Sequence, residues 1–435
     1  MNILMLTNTF TPHVGGVANS VARFTEELRR KGHRVLVVAP EFEGAPPDAG
    51  DVIRVPALQQ FNGSDFAVPV PLTLKVAAAL RSFQPEIVHS HHPFLLGDTA
   101  LRVAASREVP AVFTHHTIYE KYTHYVPGDS PKLKRFVIDL TTGYCNLCDA
   151  VIAPGGTVAE LLVSRGVTAP ITVIPTGVDP RAFEGADGAA YRKAAGIPEE
   201  AFLVGHVGRL APEKNMGFLA ETVAGFLKDR PGARFLLIGE GPSKEEVLGV
   251  FARNGLSDRI RCGGVLKGKE LASAYRAMDV FAFASRTETQ GMVLTEAMAA
   301  GVPVVALDAP GSCEVVRDGE NGRLVPRPDA EAFREALRWV AERTPEERSR
   351  LAEGTAATAG EFSIGRSAEK LVAVYEGLLS GLRVSRDIES SPWTSTRKLI
   401  GMEWEILRNF ARAAGEAVRP ATGEGGSGSS PLNRN

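Results

Sequence analysis

Glu288 and Glu296 lie eight residues apart in the stretch Ser285-Arg-Thr-Glu288-Thr-Gln-Gly291-Met-Val-Leu-Thr-Glu296-Ala-Met-Ala-Ala-Gly301. That spacing is close to two turns of an α-helix. A short apolar run, Val280 to Ala284, precedes the pair and reads as a buried strand. A polar turn follows it, then good helix formers that end in a glycine. If the turn folds back at the helix start, both carboxylates project into one cleft. The amides of Gly291, Met292, Val293 and Leu294 are then expected to be free at a helix N-terminus, where an anionic group is stabilised. An amphipathic helix with solvated glutamates has the same spacing, so the rest of the chain must decide.

Two cations, Arg209 and Lys214, stand five residues apart in a strand-loop-helix context. Held near one point they suit a diphosphate leaving group, whose charge grows as a glycosidic bond breaks. The alternative is a solvated surface pair. Gly15-Gly16 before a helix would let backbone amides approach a phosphate, or would form a tight turn needing positive φ. The glycines do not spell G-x-G-x-x-G, and the second strand ends without a ribose-binding acid, which weakens a dinucleotide reading. His13, His91, His92, His115 and His116 all follow predicted strands. A lone histidine is ordinarily a core or surface residue, but two histidine-rich strand ends on one side point to a cleft.

The elements that must position these residues alternate β and α. First-half strands are expected at Asn2–Asn8, Arg34–Ala39, Ile87–Ser90, Pro110–Thr114, Ala150–Ala153 and Ile171–Pro175. After a linker-like segment from Thr176 to Glu200 they restart at Phe202–Val207, Arg234–Ile238, Arg259–Cys262, Val280–Ala284, Val302–Leu307 and Gly322–Val325. Apolar, β-branched strands separated by helices indicate doubly wound parallel sheets. The candidate residues fall after strand ends, where open α/β sheets bind ligands. Predicted units are 1–178 and 179–365, two Rossmann-like domains, then a helix over 366–385, an amphipathic extension over 386–420 and a disordered tail over 421–435. In the extension, Ile400, Trp404, Leu407, Ala411, Ala414 and Val418 form an apolar stripe. The stripe predicts docking on the protein itself, with membrane contact or self-association as alternatives.

Composition excludes some classes. The 435 residues are 44% hydrophobic and 23% charged, with a net charge of −2 that gives no reason to expect nucleic acid. No apolar run approaches the ~18 residues of a membrane span, and no secretory leader opens the chain. The expected location is therefore cytoplasmic, or peripheral on a cytosolic membrane face. Of the four cysteines, Cys145 and Cys148 have no partners for a zinc site and are expected in the core. No Asp-x-Asp follows a strand to hold a metal ion, and no metal or other cofactor is expected.

Glu-x7-Glu in this setting, together with Gly208-Arg-Leu-Ala-Pro-Glu213-Lys-Asn215, resembles the retaining glycosyltransferases of family 4, which have the GT-B fold. The resemblance spans about residues 1 to 380. It implies a nucleotide-diphosphate sugar as donor substrate, bound between two domains, with the 366–385 helix crossing back to the first. By the same resemblance Glu296 takes the ribose hydroxyls, and Glu288 with nearby amides takes the donor sugar. Arg209, Lys214 and Gly16 take the diphosphate, and His116 faces the anomeric centre. Gly15, His13, His115 and Tyr119 complete the candidate set.

Thr176 stands where many members have Asn. That residue and the runs His92-Pro-Phe-Leu-Leu-Gly97 and Thr117 to Pro127 look most like diacylglycerol glucosyltransferases. UDP-glucose and a membrane lipid are the implied substrates. GDP-mannose, a soluble glycan acceptor, a dinucleotide-dependent oxidoreductase and a non-catalytic sugar-nucleotide sensor are the alternatives. A lipid acceptor predicts a membrane-facing surface, with apolar contact from Phe61, Phe66, Val68, Val70, Leu72 and Leu74 around Lys75 and Arg81, and headgroup attraction from Lys132, Lys134 and Arg135 beside Phe136; core packing is the alternative. Oligomeric state is not legible.

Overall fold

A computed structural model describes residues 1–13, 15–42, 51–58, 68–69, 74–121, 123, 130–286, 288–386 and 392–418. The first domain holds β1 (Asn2–Leu6), β2 (Arg34–Pro40), β3 (Val52–Val55), β4 (Ala57–Leu58), β5 (Val68–Pro69), β6 (Ile87–Ser90), β7 (Ala111–Thr114), β8 (Ala150–Ala153) and β9 (Ile171–Val173). Seven of these form one parallel sheet in the order β3-β2-β1-β6-β7-β8-β9, while β4 and β5 pair antiparallel beside it. The second domain holds β10 (Leu203–Val207), β11 (Arg234–Ile238), β12 (Ile260–Gly264), β13 (Val280–Phe283), β14 (Val304–Leu307) and β15 (Gly322–Val325), in the order β12-β11-β10-β13-β14-β15.

Helices alternate with the strands. The first domain has α1 (Gly16–Arg30), α2 (Leu74–Ser82), α3 (Leu96–Arg107), α4 (Pro131–Asn146) and α5 (Gly156–Ser164). The second has α6 (Gly188–Ala194), α7 (Met216–Asp229), α8 (Lys244–Arg253), α9 (Gly268–Arg276), α10 (Met292–Ala299), α11 (Ala330–Ala341) and α12 (Pro345–Glu361). Two longer helices, α13 (Ile364–Arg386) and α14 (Pro392–Val418), follow.

Strand side chains alternate between two cores, as a pleat with period two requires. From β1, Ile3 and Met5 join Phe24 and Leu28 of α1 and Tyr375 of α13, whereas Leu4 and Leu6 join Leu101 of α3 and Tyr144 of α4. With both faces covered, the strands read as continuous apolar runs. Cys145 and Cys148 are buried in the second of these cores. Strand order reverses between β1 and β6 in one sheet and between β10 and β13 in the other, and those crevices are where such sheets bind ligands.

The chain crosses between domains at Thr176–Asp179 and again at Phe362–Ile364, and the two crossings pair. Val178 N donates to Phe362 O and Ile364 N donates to Val178 O, both at 2.8 Å. Gly177 has φ +77°, and a β-carbon there would lie 2.7 Å from Ile364 N, so a larger residue is excluded twice over. From this crossing α13 returns to the first domain, where Ala368, Leu371 and Tyr375 are buried among α1 and sheet residues.

The 400s stripe is corrected. Helix α14 docks on α3 and α4, but through its other face. Ile406, Asn409, Ala413 and Ala417 are buried, while Ile400, Trp404 and Leu407 are 56%, 70% and 61% exposed. Small residues permit the close approach. Asn409 Nδ2 donates to Leu140 O at 2.9 Å, and a β-carbon on Gly143 would fall 1.7 Å from Asn409 Oδ1. Glu403 adds an ion pair to Arg102 of α3. Periodicity locates an apolar stripe, yet close backbone approach decided which face docks. Of the expected membrane-facing residues, Phe61, Phe66, Val70 and Leu72 and the side chains of Val68 and Leu74 lie outside the described residues, as does the 421–435 tail. Lys132 and Lys134 are exposed on α4, with Arg135 and Phe136 half-buried.

Candidate active site

Two helix N-termini face one another across the interdomain cleft. Helix α1 begins at Gly16 in the first domain and α10 at Met292 in the second; a β-carbon on Gly16 would lie 3.5 Å from Met292 Cε. Each end carries partial positive charge from unpaired amides, so an anion between them is favoured from both sides. Gly15 is extended, with φ −168°, so the Gly15-Gly16 pair is not a positive-φ turn. Gly291 does adopt the left-handed conformation, φ +68°, and a β-carbon on it would meet Leu294 Cδ1 at 2.9 Å. Expectation and structure differ at Leu294. Its amide donates to Gly291 O at 2.9 Å, because the first turn of α10 is tight, and is not free for a ligand. Among the described residues the Met292 and Val293 amides have no backbone acceptor.

A predicted cation and a predicted carboxylate meet directly. Lys214 Nζ pairs with Glu288 Oε1, so the cation expected to hold phosphate and the carboxylate expected to hold sugar satisfy each other. Arg209 is about half exposed, with Glu213 Oε1 at 4.0 Å. The loop after β10 is fixed by the loop after β11, with Leu210 N donating to Glu240 O at 3.0 Å and Ser243 N to Leu210 O at 2.9 Å. Glu296, buried in α10, accepts from the Tyr275 hydroxyl at 2.9 Å on Oε2 and pairs with Arg23 of α1 through Oε1.

Histidines line the first-domain wall. His91 Nδ1 lies 2.9 Å from His116 Nε2, and the rings stack with centroids 5.2 Å apart. Burial pushes both well below the ordinary imidazole value, so both are neutral at neutral pH. Burial likewise lowers His92 to about 3 and His115 to about 4. His92 Nδ1 accepts from Asn8 N at 3.0 Å. His115 is buried between Phe113 and Tyr119, and neither ring nitrogen has a hydrogen-bond partner among the described residues. Tyr119 also packs on Phe94. His13, in the loop after β1, stacks on Phe42 beyond β2, with centroids 6.1 Å apart. No group of His, Cys, Asp and Glu among the described residues is arranged to hold a metal ion.

Three residues of the cleft carry no sequence signal: Arg23, Tyr275 and Gln290. Gln290 Oε1 accepts from Thr176 N at 2.8 Å, tying the turn before α10 to the crossing segment, while Thr176 Oγ1 lies 2.8 Å from Ser20 Oγ of α1. A further cross-domain contact comes from Glu314, whose carboxylate accepts from Gly156 N at 2.9 Å and Thr157 N at 3.0 Å and so caps α5. These residues sit in ordinary helices and turns; Tyr275 meets Glu296 within the second domain, and the others acquire their partners where the domains meet.

Residues 14–182 match the Glycosyltransferase Family 4 domain, and residues 187–357 match the Glycosyl transferases group 1 domain. The chain is 30% identical to the alpha-monoglucosyldiacylglycerol synthase of Acholeplasma laidlawii, over 74% of this chain and 84% of that one. It is also 30% identical to the GDP-mannose-dependent alpha-mannosyltransferase of Corynebacterium glutamicum, over 79% and 80%. Among solved structures, Anabaena HepE in complex with UDP and glucose aligns with a TM-score of 0.67 at 21% identity, covering 86% of this chain and 99% of that one. Two facing parallel-sheet domains and relatives matched over most of their length lead to one conclusion: the chain belongs to the family 4 glycosyltransferases and has the GT-B fold.

Proposed function

We propose that this protein transfers glucose from UDP-glucose to diacylglycerol with retention of anomeric configuration, at a cytosolic membrane face. The observation that carries the donor reading is the facing of the α1 and α10 N-termini, with Lys214 paired to Glu288 just ahead of α10; Arg209, half exposed in the loop after β10, is assigned to the same diphosphate site. A diphosphate there draws Lys214 from Glu288 and gathers its growing negative charge onto cations and amides, with no role assigned to a metal. Glu288, so released, accepts from donor-sugar hydroxyls, and Glu296 accepts from the ribose. His116, held neutral by burial, faces the sugar as a hydrogen-bonding group and not as a cation. No side chain is assigned as a covalent nucleophile: the bond from the anomeric carbon to the diphosphate oxygen breaks, the acceptor hydroxyl attacks from the same side within a tight ion pair, and its proton passes to the departing diphosphate, while apposed domains exclude water.

The lipid acceptor is supported by the sequence likeness to the diacylglycerol branch and by the Acholeplasma relative. A GDP-mannose-dependent mannosyltransferase is the second reading, favoured by an equal identity to the Corynebacterium enzyme. The test is thermal stabilisation by UDP, GDP, ADP and NAD in parallel, followed by transfer of labelled glucose to diacylglycerol in vesicles. A ligand at a hundred times its dissociation constant adds ~2.7 kcal/mol. Selective stabilisation by UDP with lipid-dependent transfer is the expected result. Selective stabilisation by GDP moves the assignment to mannose, and stabilisation by NAD alone overturns it.

A further inference from the structure

Arg23 lies in α1 of the first domain and reaches a carboxylate of the second. Its Nη1 donates to Gly177 O at 3.1 Å, and its Nη2 donates to Glu296 Oε1. The other carboxylate oxygen, Oε2, takes the hydroxyl of Tyr275, a side chain buried completely beneath α10. A carboxylate offers about four lone-pair sites. With one donor already on each oxygen, one further site remains on each, which is the demand of two adjacent hydroxyls. A lone glutamate rotates freely about its last torsion. Here a rigid phenol and a planar guanidinium fork hold the carboxylate plane from both sides.

We propose that Arg23 is a positioning residue for ribose recognition. With Tyr275 it clamps the Glu296 carboxylate in the orientation that reads the ribose diol of the donor. Because Arg23 belongs to the first domain and Glu296 to the second, the clamp is complete only while the domains are apposed, and Arg23's other arm anchors it to the carbonyl of Gly177 at the crossing. Ribose binding and cleft closure therefore reinforce each other. The inference rests on the nucleotide-sugar reading above. A plain interdomain strut is the competing role, and it would weaken every ligand by the same factor.

The experiment is calorimetric titration of wild type, Arg23→Gln and Arg23→Lys with UDP and GDP, each compared with its 2′-deoxy counterpart. Wild type is expected to prefer the ribose form of its diphosphate by about tenfold, the worth of one hydrogen bond to a charged group. Arg23→Gln should bring that ratio below about threefold, losing ribose affinity more than deoxyribose affinity. Arg23→Lys, which keeps a cation within reach of Glu296, should recover part of the ratio. Equal ratios in wild type and Arg23→Gln, a wild-type ratio near one, or no recovery in Arg23→Lys overturns the clamp. Failure of wild type to bind either diphosphate overturns the donor reading itself, a result distinct from intact binding with an unchanged ratio.

Discussion

His91 Nδ1 and His116 Nε2 stand 2.9 Å apart beyond the ends of β6 and β7, and one proton lies between them. Since burial keeps both rings neutral, the tautomer of one sets the tautomer of the other. The nitrogen that His116 turns toward a substrate is thus chosen by His91. Replacing His91 by Ala should lower turnover by about tenfold with donor KM within about twofold of wild type, the mark of a group acting late in the reaction. Steady-state kinetics check this; a raised KM with preserved turnover would place His91 in donor binding instead.

The Lys214–Glu288 pair makes a second prediction. Lys214→Ala removes the cation that meets the leaving group and should cost at least about tenfold in turnover. Lys214 is partly exposed, so melting temperature should change little. Near-normal turnover in a folded variant would withdraw the leaving-group role. Glu288→Gln should weaken both donor affinity and rate, because a neutral amide is a poorer acceptor for sugar hydroxyls.

Acid should unfold the first domain before the second. Burial holds His89 and His92 at about 3 and His115 at about 4, with His91 and His116 well below the usual value. In the second domain only His206, at about 4, is so affected among the described residues. A depressed folded value contributes stability that is present in full above the unfolded value near ~6.5 and is lost as pH falls toward the folded one. Each such histidine removes about 1.4 kcal/mol per pH unit in that window. Hydrogen exchange at pH 7.5 and 5.5 should show β6 and β7 losing protection far more than β10 and β11. Equal loss in the two sheets would contradict the placement of these rings in a dry first-domain core.

The docking of α14 can be checked by stability. Asn409→Ala removes a buried donor to Leu140 O and should cost about 1–3 kcal/mol. Trp404→Ser, on the outward face, should stay within about 0.5 kcal/mol. Urea unfolding of both variants decides it, and the reverse order would restore the stripe as the docking face.

Much of this molecule is legible in its sequence, for physical reasons that particular elements display. Strands such as Ile87–Ser90, Ala150–Ala153 and Arg234–Ile238 are predictable to the residue because both faces are covered, which makes each a largely apolar run bounded by turn residues. The edge strand Val52–Val55 escaped notice: it is half-buried and follows a Pro/Gly-rich run. That Glu288 and Lys214 satisfy each other as an ion pair is not legible, but the two could be expected near one another, since both follow predicted strand ends. Arg23, Tyr275 and Gln290 could not, because each meets its partner only through tertiary contact. The state of the Leu294 amide is not legible, because spacing marks where a helix starts but not how tightly its first turn closes.

The crossings at Val178 and Phe362–Ile364 are stapled side by side. Two separate tethers would let the halves of the enzyme splay, slide and twist independently. A short hydrogen-bonded ribbon, tightened by Gly177 against Ile364, bends far more easily than it shears. Bending about that spine is then the relative motion of the halves that disturbs fewest of its hydrogen bonds, and a molecule that touches both walls of the cleft acts on it with the leverage of its distance from the spine.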